Sequence, residues 1–170
     1  MANIYIIPVQ EIKDSTFIDD NISDKMIKVA LLDAQQQILE PVLGSLLYEK
    51  IISDITNLTV SSDYQTLLVS HIWPVMLQAT VYKLSYNLLF RFTNSSIVKD
   101  DNENSKSIDI SGIKVMIKER ELSMNYHISK LKDHLIVNQT TYPEYLGAQP
   151  LDGKSPDLTD NHLSFYTYDD

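Results

Sequence analysis

A chain of 170 residues with 44% hydrophobic content is long enough for one domain with a real core and an extension, and too short for two full domains. Its 14 Lys and Arg stand against 23 Asp and Glu, a net charge of −9, which opposes gripping a nucleic-acid backbone because that binding is driven by cationic neutralisation. With no cysteine there is no disulfide, zinc thiolate or cysteine nucleophile, so packing or assembly must supply the stability.

The first residues, MANIYIIPVQEIKD, hold only a short apolar run with Pro8 inside it and no basic leader. They read as an extended lead, neither signal peptide nor membrane span. In STFIDDNISDKMIK, either Ser23 or Asp20 is placed to cap the first helix. Ile27, Leu31, Ala34 and Ile38 then recur at spacings of three and four, which puts one stripe against a core. Pro41 lacks an amide hydrogen and restricts Glu40, so a break is expected there, with the proline in the first turn of a new helix. Leu43, Leu46, Leu47 and Ile51 form the next stripe, and Gly44 permits close backbone approach at the corner.

That second helix fades near Asp54 to Asn57, and SSDYQ supplies the next start. From about Asp63 to Phe92 a long helical pattern carries Tyr64, Leu68, His71, Val75, Ala79, Tyr82, Tyr86 and Leu89 on one stripe. Trp73, Leu77, Val81, Leu84 and Leu88 lie on other faces, so this helix should be the central element. Pro74 within it predicts a kink or split near Trp73. The loop at 93–112 is polar and turn-rich, is expected to protrude, and has the composition for a short hairpin between Ile97-Val98 and Ile108–Ile110. A last helix, roughly Ile113 to Val137, repeats Ile113, Ile117, Met124, Ile128, Leu131 and Leu135, with Arg120 the one interruption of the stripe.

From Gln139 onward periodicity is lost, prolines and glycines recur, and six acidic residues face Lys154 alone. Such a tail fits disorder, but Tyr142, Pro143, Tyr145, Leu146, Phe165, Tyr166 and Tyr168 favour an arm that docks on a partner surface. The expected organisation is a helical domain at 1–138, with the loop inserted between its last two helices, and an extended arm at 139–170. The fold class is all-α: a small bundle around a long central helix.

No chemistry-bearing constellation emerges. His71, His127, His134 and His162 form no ligand pair at metal-binding spacing, no serine lies in a nucleophile elbow, and the glycines are too scattered to cradle phosphate. Asp19-Asp20 and Asp100-Asp101 sit in turn-like stretches, where capping explains them. The basic residues of the last helix are diluted by Glu119, Glu121 and Asp133, so surface pairing accounts for them better than a nucleic-acid face. No catalytic residue, cofactor or metal is expected.

The extended lead, the corner AQQQILEPVLGSLLYEKI, the helix WPVMLQATVYKLSYNLLFRF, the polar loop and a final helix ending in YPEYL resemble head-tail connector proteins of tailed bacteriophages. The likeness is greatest to the adaptor, or head-completion, proteins of crAss-like and other phages of Bacteroides-type bacteria. It rests on Ala34, Gln35, Ile38, Pro41, Leu43, Gly44, Leu47 and Tyr48 at the corner and on Tyr142 to Leu146, and covers roughly Ile4 to Leu146. The resemblance implies a virion protein, assembled in the host cytoplasm, that forms a ring of twelve copies in the neck. Such a ring sits between the portal protein and the next neck or tail protein, and DNA passes through it without being specifically bound. A soluble helical regulator that binds one protein partner is the alternative from a different class.

Overall fold

The computed structural model describes residues 4–92, 97–99, 110–146 and 154–159, with side chains at 4–85, 115–146 and 154–159. The fold is all-α, and the described elements follow chain order. They are α1 (Val9–Ser15), α2 (Asp24–Ala34), a π-helical turn (Gln35–Leu39), α3 (Glu40–Leu43), α4 (Ser45–Asn57), α5 (Ser62–Leu67), a second π-helical turn (Leu68–Ile72) and α6 (Trp73–Leu89). A ribbon of β1 (Phe90–Phe92) and β2 (Ile97–Lys99) leads on to α7 (Ile110–Val137) and α8 (Pro143–Leu146). Helix α6 packs against α2 on one side and α7 on the other, so it is the central element its all-round apolarity predicts. Val75, Met76 and Ala79 are fully buried within it, as is Ile72 in the π-helical turn just before it.

Neither internal proline breaks its helix as the sequence suggests. Residues 24–43 run as one helical rod: Glu40, expected to be pushed out of helical geometry, has φ −56° and ψ −46°. The π-helical turn explains this. The Glu40 amide reaches back five residues to the Gln35 carbonyl, which widens the helix just where the ring of Pro41 would press on the preceding turn and where Pro41 has no amide to offer. The same arrangement recurs at Pro74. Trp73 bonds back to the Leu68 carbonyl, and where a kink or split is expected near Trp73 a π-helical turn joins α5 to α6 with the backbone helical throughout. Widening also inserts a residue into the apolar period. After Ile27, Leu31 and Ala34 the fully enclosed positions are Gln35 and Leu39, and the expected Ile38 lies partly out.

The corner itself falls three residues later, at Gly44 (φ 73°, ψ 159°), which ends α3 and opens α4. Ser23, not Asp20, caps α2 and accepts a hydrogen bond from the Lys25 amide. The lead is not wholly extended: Pro8 opens α1, whose Ile12 is buried. Residues 4–7 before it are tied down by side chains. The Ile6 amide donates to Gln35 Oε1 and the Ile6 carbonyl accepts from Trp73 Nε1, each at 3.1 Å, while Gln35 Nε2 donates to the Ile4 carbonyl.

The long helical pattern stops at Leu89, since Phe90–Phe92 form β1. Its antiparallel partner is Ile97–Lys99, in the register Phe90↔Lys99, Arg91↔Val98, Phe92↔Ile97. The strand expected to pair with Ile97-Val98 is therefore replaced by Phe90–Phe92, which the sequence pattern assigns to the end of the long helix. Ile110 instead opens α7, and Ile108 lies outside the described residues. Met124, Ile128, Leu131 and Leu135 of α7 are buried as their spacing predicts. Arg120 leaves the stripe to lie over the Phe17 ring, 4.5 Å from its centroid.

Candidate functional site at the helix corner

The expected corner residues converge. Leu43 and Leu47 are fully buried, Tyr48 packs partly against the core beside Gln35, and Pro41 is exposed. What the sequence does not reveal is the strap that crosses them. Residues 154–159 return across more than a hundred positions and lie on the corner. The Ser45 amide donates to the Lys154 carbonyl (3.1 Å), the Asp157 amide donates to the Pro41 carbonyl (2.9 Å), and Lys154 Nζ pairs with Glu40 Oε1 (3.0 Å). Lys132, almost fully buried on α7, donates from Nζ to the Thr159 carbonyl (2.9 Å).

Gly44 makes this crossing possible. A Cβ there would stand 2.8 Å from Pro156 Cδ and 2.9 Å from the Pro156 backbone nitrogen, and the backbone holds a positive φ. The expected close approach is therefore to the strap. Asp157 accepts from both the amide and the hydroxyl of Thr159, which holds its carboxyl below the usual carboxylate range.

The first half of the expected arm belongs to the core. Tyr142 and Tyr145 are 3% and 1% exposed, with α8 packed on α4. The Tyr142 ring meets that of Tyr64 edge-on at 5.4 Å and its hydroxyl donates to the Asp63 carbonyl, so neither tyrosine is offered to a partner by this fold. Pro143 and Leu146 remain exposed; Phe165, Tyr166 and Tyr168 lie outside the described residues.

Two histidines far apart in sequence come together. The rings of His71 and His134 stack with centroids 3.8 Å apart and planes 20° from parallel. Asn138 Nδ2 donates to the His134 carbonyl and also lies 3.3 Å from His134 Nδ1. Burial first, then the neighbouring His134 and Lys130, push the His71 pKa down. Around the stack, Tyr64 donates to Glu144, and burial with that carboxylate drives its phenol far above the usual range. Stacked rings present faces, not converging lone pairs, and among the described residues no group of three or more His, Asp or Glu is placed to hold a metal ion.

A third feature is an apolar groove of about 430 Å³ lined by residues that include Ile6, Pro8, Ile55, Val60, Leu68 and Trp73. At its edge Leu58 closes α4 in the left-handed conformation (φ 56°) and is 92% exposed. Among the described residues no helix is long and apolar enough to cross a membrane.

These observations define an all-α protein whose conspicuous features are joints and surfaces. The family described as "Family of unknown function (DUF6712)" matches residues 39–154, more than half of the chain, and the protein belongs to it. The match begins at the corner and ends at the first residue of the strap. No curated protein and no solved structure matches the chain.

Proposed function

We propose that this protein is a structural component of a bacteriophage virion, a head-tail connector that assembles as a ring between the portal and the next neck or tail protein. The observation that carries the assembly reading is Leu58. Glycine is the residue that closes a helix in the left-handed conformation without a Cβ penalty, and leucine there costs about 1 kcal/mol. Its side chain is almost wholly exposed, so packing within the chain does not repay that cost. Beside an apolar groove, it fits a contact made only when copies or partners meet. A closed ring buries such surface between neighbours. The net charge of −9 suits a ring through which DNA slides without sticking.

Cryo-electron microscopy of assembled virions tests the proposal directly. A ring traceable to this chain below the portal supports it, and a resolved neck with no place for the chain overturns it in favour of a helical regulator. Leu58→Gly provides a solution test. It should raise the stability of the isolated chain by about 1 kcal/mol while weakening ring formation; a variant that assembles as well as the parent removes the reason given for the leucine.

A further inference from the structure

The strap matches its seat in chemistry but does not fill it. The seat offers buried polar groups, with Ser45 3%, Lys132 5% and Tyr145 1% exposed. Opposite charges meet across it. Lys154 pairs with Glu40, and the Thr159 bonds, with the Lys132 ammonium after them, hold the Asp157 carboxyl low. Yet none of residues 154–159 is buried, and five of the six are exposed. A cleft of about 360 Å³ stays open between Lys154, Ser155 and Asp157 of the strap and Gln36, Glu40 and Pro41 below it. Burial first, and then Asp157, push the Tyr145 phenol up to about 12, so this hydroxyl lies near the strap carboxylate, but it finds no hydrogen-bond partner among the described residues. A buried donor left unpaired is costly, and a seat that carries one is built for a fuller occupant.

We propose that in the assembled protein this seat is taken by the strap of a second copy, each chain giving residues 154–159 to the next. The inference rests on the ring reading and names the segment that closes the ring. Exchange is cheap because the occupant is the same segment: the main-chain bonds, the facing charges and the contact of Pro156 with Gly44 are available within a chain and between chains alike. The balance is then set by the connection and by the local concentration of neighbours. Residues 147–153 separate α8 from the strap, and the eight peptide steps from Leu146 to Lys154 span at most about 26–29 Å, enough to cross to a touching neighbour. An incoming strap approaches along a different path from one held by its own chain, and the spare Tyr145 hydroxyl and the open cleft are what it finds to fill. Passing a strap from each chain to the next is a heterologous contact, the kind that closes into a ring.

Because the chain has no cysteine, the full-length protein with Pro41→Cys and Asp157→Cys carries one pair, at two exposed sites that a main-chain bond brings together. A short bismaleimide crosslinker is applied to the monomeric and assembled fractions of one sedimentation run, and the products are separated on a denaturing gel. Exchange predicts internally linked monomer in the first fraction and a ladder of covalent oligomers in the second, where the linked monomer falls about tenfold. Should Asp157→Cys release the strap by losing its bonds to Thr159, Ser45→Cys with Lys154→Cys makes the same comparison across the other main-chain bond. Internally linked monomer throughout the assembled fraction overturns the exchange and leaves the ring reading standing. A chain with no assembled fraction at any concentration counts against the ring reading, and the exchange falls with it.

Discussion

Replacing Gly44 with alanine should be among the most damaging small changes available to this protein. Two costs add. Gly44 has φ 73° and ψ 159°, a region occupied essentially by glycine alone, where a side chain costs about 1–3 kcal/mol. The new Cβ would also meet Pro156 Cδ at 2.8 Å and its backbone nitrogen at 2.9 Å, so the strap must lift. Lifting weakens the bonds from Ser45 to Lys154 and from Asp157 to Pro41, each contributing about 0.5–1.5 kcal/mol. Together these give a loss of about 2–6 kcal/mol, or about 4–24 °C in melting temperature for a chain of this size. Urea unfolding followed by circular dichroism at 222 nm measures it.

A double-mutant cycle separates the two costs. Deleting residues 154–170 should destabilise the parent but make Gly44→Ala less costly, because the backbone penalty then remains alone. Pro156→Gly should rescue less than the deletion, since the backbone nitrogen stays in place. An alanine cost below about 0.5 kcal/mol, or one unchanged by the deletion, would refute the account of Gly44 as the seat of the strap.

Gln35→Leu preserves bulk but strips the Ile6 amide of its acceptor and the Ile4 carbonyl of its donor; about 2–4 kcal/mol should be lost, visible as a lower urea midpoint. His71 has its folded pKa lowered, so the unfolded chain binds more protons and stability rises with pH through that window. The contribution should be complete above about pH 6.5 and fade as pH falls below it; His71→Phe should flatten the dependence of the urea midpoint between pH 7 and 5, and an unchanged slope would count against the stack. Lys132→Met keeps the buried stem but loses the bond to the Thr159 carbonyl. Hydrogen exchange at the Asp157 amide should then quicken by about tenfold while the core amides of α6 are unchanged, and equal protection in both proteins would show that Lys132 does not hold the strap.

The sequence by itself determined the fold class, the buried stripes and most helix ends, because these follow from local periodicity and capping. Ser23 and the apolar residues of α7 sit where cap chemistry and spacing place them, and α5 begins within the SSDYQ stretch that marks its start. The short α1 reads as part of an extended lead, because seven residues carry too little periodicity to mark a helix. Tertiary structure decided how the prolines are tolerated. A proline removes one hydrogen bond whatever its surroundings, but the packing of α2 against α6 favours a continuous helix with a π-helical turn over a break. It also decided what meets the corner. That Gly44 faces Pro156, that His71 stacks on His134 and that Lys132 reaches Thr159 are pairings across 27 to 112 residues, and no local pattern encodes a contact whose partners are brought together only by the closing of the core.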